Sequence, residues 1–180
     1  MSASTLETHD VVVGGGGPSG ATAAEDLARA GRRVLLLDRA GRIKPCGGAI
    51  PPRLIKDFKI PEHLLVAKIN SARMVSPSDR KVDIPIEGGF VGMVDREVFD
   101  EFLRARAADA GAHRRSGTFT RITRDHDDVA IVEFKAQMGS GDSATMSERH
   151  RVRARIVIGA DGANSAVAKQ AIPGSELKKL

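Results

Sequence analysis

DVVVGGGGPSGATAAEDLARAGRRVLLLD, residues 10–38, carries the strongest fold signal in this 180-residue chain. Three consecutive valines run into four glycines, as in a buried strand that ends in a tight turn. Residues 19–30 follow with alanine and leucine on one helical face, and Gly31 is suited to end that helix. RVLLLD, residues 33–38, is a second apolar run. Strand, helix and strand within about 30 residues predict a βαβ unit with two parallel strands.

The glycine-rich turn of this unit has the spacing of a dinucleotide-binding motif. Gly15, Gly17 and Gly20 occupy the three positions of G-x-G-x-x-G. In that motif the glycines allow a tight turn, the approach of a pyrophosphate to the backbone, and close helix–strand packing. Asp38 ends the second strand, at about the distance expected for the acid that binds the ribose hydroxyls. A plain βαβ turn is the structural alternative, but the position between strand and helix favours a dinucleotide site.

A second glycine turn lies in IVIGADGANSAV, residues 156–167. It places Asp161 between a predicted buried strand and a predicted short helix, residues 165–171. A carboxylate there can accept a hydrogen bond from a ribitol or ribose hydroxyl of a cofactor held at the first turn. A simple turn with an aspartate helix cap explains the same residues, so the spacing leaves both interpretations open.

The rest of the chain predicts shorter strands. Residues 67–76, 81–86 and 89–94 have strand-like composition and lie close together, which favours antiparallel pairing. Residues 129–137 and 146–158 predict two further strands, joined by a turn at 139–143. We expect the antiparallel strands to form an incomplete second layer beside the βαβ unit.

DREVFDEFLRARAADA, residues 95–110, predicts a helix. Asp95 is its expected N-cap and Gly111 its expected end. Its predicted apolar stripe consists of Val98, Phe99, Phe102 and Leu103.

Composition excludes nucleic-acid binding as a main function. The net charge is +5, and the one dense basic run is RHRVRAR, residues 149–155. Its alternation indicates a strand with a solvated arginine face, and Val152, Ala154 and Ile156 on the other face. A nucleic-acid surface would add stacking aromatic residues, whereas the chain has six Phe and neither Trp nor Tyr. The excess positive charge suits an anionic cofactor or an acidic membrane surface.

A single cysteine excludes an internal disulfide and a cysteine-rich zinc site, and no metal site is predicted. The first ten residues lack the apolar core of a signal peptide, and no apolar run approaches the ~20 residues that span a bilayer. A reducing, cytoplasmic compartment fits these features best.

The cysteine, Cys46, lies in KPCGGAIP, residues 44–51. It is either a small apolar residue in a tight turn or a residue that lines a ligand site.

Four motifs together resemble one family. GGGGPSGATAAEDLARAG, KPCGGAIP, GGFVGMVDREVFDEFL and IVIGADGANSAVAKQ resemble the geranylgeranyl reductase family of FAD-dependent enzymes, and especially its bacterial members of bacteriochlorophyll synthesis. The resemblance extends over residues 8–173. It implies an α/β fold with a Rossmann-like FAD-binding domain of the para-hydroxybenzoate hydroxylase-like class.

The resemblance also implies roles for individual residues. Arg96 would reach FAD from a helix start, although an exposed first-turn arginine is the alternative. The loop Cys46-Gly47-Gly48 would lie beside the isoalloxazine ring, where Cys46 lines the space shared by flavin and substrate and is the candidate catalytic proton donor. The implied cofactor contacts come from Gly15, Gly17, Pro18, Ser19, Gly20, Asp38, Arg39, Cys46, Gly47, Gly48, Arg96, Asp161 and Gly162.

The activity implied by the resemblance is reduction of geranylgeranyl double bonds, with NADPH reducing FAD. The substrate would be a prenylated (bacterio)chlorophyll or geranylgeranyl diphosphate, and a prenyl substrate favours peripheral contact with a photosynthetic membrane. Family members are about twice this length and have a later GD motif. Residues 1–180 are therefore expected to be the amino-terminal FAD-binding portion of a longer oxidoreductase. The alternatives are an FAD-dependent aromatic monooxygenase of the same fold and a non-catalytic dinucleotide-binding fragment; KPCGGAIP favours the reductase.

Overall fold

The computed structural model describes residues 6–39, 46–136 and 148–175. The chain divides into two compact units. The first combines Met1–Arg42 with Phe102–Leu180, and the second is Ile43–Glu101.

Strands and helices alternate at the start of the chain, and strands predominate later. The elements are β1 (Thr8–Gly14), α1 (Pro18–Arg29), β2 (Val34–Asp38), β3 (Ala49–Ile50), α2 (Pro52–Asp57), a 3₁₀ turn (Glu62–Leu64), β4 (Leu65–Ile69), β5 (Ser71–Val75), β6 (Lys81–Pro85), β7 (Val91–Val94), α3 (Arg96–Asp109), β8 (His113–Arg124), β9 (Ala130–Ala136), β10 (Arg149–Gly159) and α4 (Ala166–Ala171). The strands β1 and β2 flank α1 and pair in parallel, which confirms the predicted βαβ unit.

Five strands of the first unit close into a ring in the order β1, β10, β9, β8, β2. Strands β10, β1, β2 and β8 are parallel neighbours, and β9 is antiparallel to both β8 and β10. Two long strands make both kinds of pairing. Residues 113–116 of β8 pair with β2 and residues 117–124 with β9. Residues 149–154 of β10 pair with β9, and residues 153–159 with β1.

Apolar clusters pack on both faces of the parallel strands because successive side chains of a strand point to opposite sides. One cluster joins Val11, Val13, Val34 and Leu36 to Ala24 of α1 and Ala107 of α3. The other consists of Val12, Leu35, Leu37, Val132, Phe134, Val152 and Ala154. Strand β2 is therefore buried on both faces, which explains why its sequence is continuously apolar. Each fully buried leucine contributes about 1.5–3 kcal/mol relative to an exposed one.

The cap of α3 is as predicted. Asp95 Oδ1 accepts a hydrogen bond from the Glu97 amide over 2.8 Å. Gly111 follows the helix with a φ of +106°, a conformation that favours glycine.

The buried stripe of α3 differs from the prediction at one position. Phe99, Leu103 and Ala107 are buried, and Phe102 is half-buried. Val98 is 54% exposed, so its assignment to the stripe was wrong. The stripe advances by four residues at each turn, which leaves the residue before Phe99 on the solvent side.

The second unit contains a three-stranded sheet in the order β3, β7, β4 and a separate hairpin of β5 and β6. All of its strand pairs are antiparallel, as predicted. Residues 67–76 do not form one strand, because the chain divides at Asn70 into β4, which pairs with β7, and β5, which pairs with β6. The buried apolar residues of this unit are Ile50, Ile60, Leu64, Val94 and Phe99.

The remaining differences between prediction and structure are two missed elements and one misassigned strand residue. The strand β8 and the helix α2 were not predicted. Val152 and Ala154 are buried as expected, but Ile156 is 57% exposed, so its assignment to the buried face was wrong. Arg155 and Ile156 are both exposed, which shows that strict alternation ends there. The predicted turn at 139–143 lies outside the described residues. Within those residues, no helix has the length and hydropathy needed to cross a bilayer.

Candidate dinucleotide-binding site

The two glycine-rich turns lie side by side at the carboxyl edge of the parallel strands. Gly14 at the end of β1 pairs with Gly159 at the end of β10. The Ala160 amide donates to the Gly14 carbonyl over 2.8 Å, and the Gly15 amide donates to the Leu37 carbonyl over 2.7 Å. Ligands of α/β sheets bind outside this edge. The two motifs therefore form one candidate site.

Two motif glycines are required by close backbone packing. Gly15 has a φ of +109°, and a Cβ there would lie 2.4 Å from the Ala160 carbonyl oxygen. A Cβ on Gly20 would lie 1.9 Å from the Gly15 carbonyl oxygen. Gly17 is different, because a Cβ there would meet no heavy atom within 4 Å. Packing does not require glycine at this position, whereas the approach of a pyrophosphate to the backbone would.

The amino end of α1 is suited to bind an anion. Gly17 is its N-cap in an extended conformation, and no described side chain caps the helix. Pro18 occupies the first turn, which contains no acidic residue, and Ser19 is exposed. The first-turn amides and the positive end of the helix dipole are thus available to a phosphate group.

Asp38 is held against the glycine-rich turn by an arginine of α3. Arg104 Nη1 lies 3.3 Å from Asp38 Oδ2 and 3.2 Å from the Gly16 carbonyl oxygen. A Cβ on Gly16 would lie 2.8 Å from atoms of the Asp38 side chain, so glycine also permits this approach. The half-buried Asp38 carboxylate therefore lies beside the turn, where a ribose-binding acid is expected. Arg39, the next residue, is exposed.

Asp161 is confirmed as a helix cap, and its role as a cofactor contact stays a prediction. Its Oδ2 accepts hydrogen bonds from the amides of Ala166 over 2.6 Å and Val167 over 3.4 Å, and so caps α4. Its Oδ1 is buried and has no hydrogen-bond partner among the described residues. A buried oxygen without a donor is unfavourable, so a cofactor hydroxyl would be a suitable partner. Gly162 beside it has a φ of +91°.

The loop with the single cysteine belongs to the second unit. Cys46 and Gly47 are exposed, which contradicts a buried packing role for the thiol. Gly48 has a φ of +72°, and its would-be Cβ lies 2.0 Å from the Val94 carbonyl oxygen. The Val94 amide also donates to the Gly48 carbonyl over 2.9 Å. The glycine thus fixes this loop to β7.

The Cys46 thiol has an electropositive environment. The Gly48 amide and then the Arg96 guanidinium lower its pKa from the ordinary value. Arg96 is held in turn by Asp100, with two hydrogen bonds of 2.9 Å between guanidinium and carboxylate. Both side chains are largely buried. The hydrogen bonds to Asp100 raise the pKa of Arg96, and burial opposes that shift. Arg96 is therefore an oriented partner of Cys46 and not the freely exposed first-turn arginine of the alternative interpretation.

Sequence reasoning missed two of these residues. Asp100 could have been found, because an arginine and an aspartate four residues apart on a helix form a standard pair. Arg104 could not, because its partners Gly16 and Asp38 are distant in sequence and only the packing of α3 brings them near. The structure thus groups Gly15, Gly17, Gly20, Asp38, Asp161 and Gly162 in the first unit, and Cys46, Gly47, Gly48 and Arg96 in the second.

Comparison with known proteins agrees with this geometry. The family model described as an NAD(P)-binding Rossmann-like domain matches residues 12–60. Geranylgeranyl diphosphate reductase of Rhodobacter capsulatus is 59% identical over 169 residues, which are 94% of this chain and 41% of that protein. This chain is homologous to the amino-terminal part of geranylgeranyl diphosphate reductase. It spans about two fifths of the length of that relative.

Solved structures share the fold. A geranylgeranyl bacteriochlorophyll reductase-like protein from Thermoplasma acidophilum superimposes with a TM-score of 0.79 at 25% identity, covering 96% of this chain and 44% of that one. The flavin-dependent brominase Bmp2 gives 0.73 at 22% identity, covering 92% of this chain and 41% of its own. The predicted Rossmann-like fold, the dinucleotide class of cofactor and the suspected relationship are confirmed.

Proposed function

We propose that this chain is the FAD-binding portion of an NADPH-dependent reductase that saturates geranylgeranyl double bonds. The observation that carries the proposal is the 59% identity to a geranylgeranyl diphosphate reductase across nearly the whole chain. The likeness to a flavin-dependent brominase at 22% identity extends only to the fold, so it does not favour an aromatic monooxygenase.

The described residues fit FAD. The open space at Gly17 and the uncapped amides of α1 would receive the pyrophosphate. Asp38 would accept from the adenosine ribose hydroxyls, and the unpartnered Asp161 Oδ1 from a further hydroxyl of the cofactor. Bound FAD, once reduced by NADPH, would supply the hydride for the alkene.

The chain's own residues would bind and orient the cofactor and would move a proton. Arg104 would hold the Asp38 carboxylate beside the turn through their contact of 3.3 Å. The assignment of the Cys46 loop to the flavin and the substrate follows from the family resemblance. In that role the thiol at Cys46 would move a proton, and the Gly48 amide and then Arg96 would lower its pKa.

The first experiment is cofactor uptake by the purified chain. The absence of Trp and Tyr makes its own near-ultraviolet absorbance slight, so flavin bands are easy to detect. We expect flavin absorption to co-elute with the protein after FAD is added and excess is removed by gel filtration. Asp38→Asn should weaken FAD binding by about tenfold or more, since a hydrogen bond to a charged group is lost. Asp26→Asn, at an exposed position of α1, is the matched control.

Turnover is tested on two classes of substrate. Geranylgeranyl diphosphate and a geranylgeranyl-esterified bacteriochlorophyll are incubated separately with the FAD-loaded chain and NADPH. Mass spectrometry should show the gain of two hydrogen atoms for each reduced double bond. FAD uptake without reduction of either substrate would support a non-catalytic dinucleotide-binding fragment. Failure to take up FAD would overturn the proposal for this chain.

A further inference from the structure

His9 lies at the start of β1, at the end of the strand away from the glycine-rich turn. Its side chain is fully buried, and neither ring nitrogen has a hydrogen-bond partner among the described residues. Buried polar groups in native proteins almost always have a partner, so the Nδ1 atom of His9, which has none among the described residues, requires an explanation. A metal ion that accepts an electron pair from an imidazole nitrogen is one explanation.

Two further ligand-type side chains surround this imidazole. His9 Nε2 lies 3.1 Å from Glu7 Oε1, although not in hydrogen-bond geometry. His113, the first residue of β8, places its ring edge-on to that of His9, with 5.8 Å between centroids. One donor atom from each of the three side chains lies within 4.8 Å of the other two. All three residues belong to the first unit.

These separations are compatible with one metal ion. Ligand atoms around tetrahedral zinc are about 3.3 Å apart, because zinc–nitrogen and zinc–oxygen bonds are about 2.0–2.2 Å long. The pair formed by His9 and Glu7 already has this spacing. His113 is exposed and Glu7 is half-buried, so small rotations of these two side chains can complete the set.

The surroundings also determine how Glu7 is oriented. The Arg115 guanidinium donates to Glu7 Oε2, which leaves Oε1 directed toward His9. This arrangement is that of an outer hydrogen bond that orients a ligating carboxylate. The positive charge of Arg115 also lowers the affinity for a cation, so we expect binding weaker than at a closed cysteine site.

We infer that Glu7, His9 and His113 form a divalent transition-metal site of the zinc class, with a fourth position open to water. Two imidazoles select zinc, copper or nickel over magnesium and calcium, which prefer oxygen ligands. The site lies at the opposite end of β1 from the glycine-rich turn, so metal binding can be measured without FAD.

The test uses Co²⁺ and Zn²⁺ with the full chain after chelator treatment. Co²⁺ titration should produce the visible absorption of tetrahedral cobalt at one equivalent, and Zn²⁺ should abolish it. His113→Ala should weaken binding at least tenfold, and Glu7→Gln should weaken it as well. Because His113 is exposed, His113→Ala is expected to fold, which circular dichroism verifies.

Two control variants make the outcome decisive. His63→Ala removes an exposed histidine of the second unit and should leave cobalt binding unchanged. His126→Ala alters the other cluster of potential ligands, in which Arg153 contacts both flanking carboxylates of Asp125 and Asp127, and should also bind normally. Absence of stoichiometric binding, or equal affinity of wild type and His113→Ala, would overturn the inference. So would loss of binding in His126→Ala instead.

Discussion

Replacement of Gly17 by alanine is expected to remove FAD binding while leaving the fold intact. The backbone at Gly17 has φ −71° and ψ 179°, which alanine adopts readily, and its new methyl group would meet no protein atom within 4 Å. Alanine is a poorer N-cap than glycine by up to ~1 kcal/mol, but it also reduces unfolded-chain entropy by about 0.4–1 kcal/mol. The net change in unfolding free energy should therefore be within about 0.5 kcal/mol.

The same substitution at Gly20 should have the opposite effect. The Cβ would lie 1.9 Å from the Gly15 carbonyl oxygen, whereas real Cβ contacts are essentially never under 3.0 Å. The backbone must move, and overpacking of this kind costs about 1–3 kcal/mol. For a chain of this size, 3 kcal/mol corresponds to a Tm decrease of about 6–12 °C, against less than about 2 °C for Gly17→Ala.

The assay pairs thermal unfolding by circular dichroism with flavin fluorescence titration. The methyl group of Gly17→Ala would occupy space that the pyrophosphate needs, so we expect at least a tenfold loss of FAD affinity, or about 1.4 kcal/mol. Gly89→Ala, where the added Cβ makes an ordinary 3.6 Å contact with Pro52, is the control for both measurements. Wild-type FAD affinity in Gly17→Ala would refute this reasoning, as would a loss of stability equal to that of Gly20→Ala.

Three further predictions concern charges. Glu25→Gln should lower the unfolding free energy by about 2 kcal/mol in urea titrations, because the buried Glu25 carboxylate accepts from Arg106 over 2.6 Å and joins α1 to α3; an unchanged midpoint would contradict this. Alkylation of Cys46 should show a midpoint below the ordinary thiol pKa, since a backbone amide and then Arg96 lower that pKa, and Arg96→Gln should move the midpoint upward. Equal midpoints would exclude a role for the guanidinium. Arginine and backbone amides lower the pKa of Asp125 to about 2, so its contribution to stability is present above pH ~4 and is lost as the pH falls toward 2. Asp125→Asn should flatten that part of the stability profile, and a profile as steep as wild type would count against it.

The elements with strong local signals could be predicted from sequence. The βαβ unit follows from two apolar runs and a glycine turn, and α3 follows from its period and its Asp95 cap. Strand β8 was missed because HRRSGTFTRITR contains few apolar residues, and its pairing with β2 and β9 makes it a strand. Long-range hydrogen bonding decided this element, whereas side-chain pattern decided the others.

The candidate site shows the same division. The turn and the position of Asp38 at the end of β2 could be predicted, because the glycine spacing and the end of an apolar run are local features of the sequence. The contact of Arg104 with Asp38 depends on how α3 packs, which spacing does not encode. For Asp161, the sequence left a helix cap and a cofactor contact as alternatives. The structure confirms the cap through Oδ2, and contact of Oδ1 with a cofactor stays a prediction.

The pairing of Gly14 with Gly159 has a consequence for the order of folding. Strand β10 follows β1 by more than 130 residues, yet it lies between β1 and β9, and Ala160 directly after it packs against the first glycine turn. A nascent chain that has emerged only as far as β9 would have the glycine motif without its neighbour. Pairing β10 with β1 closes a long loop, which is slow because its entropy cost comes before the stabilising contacts form. Acquisition of cofactor would therefore report that β10 has entered the sheet.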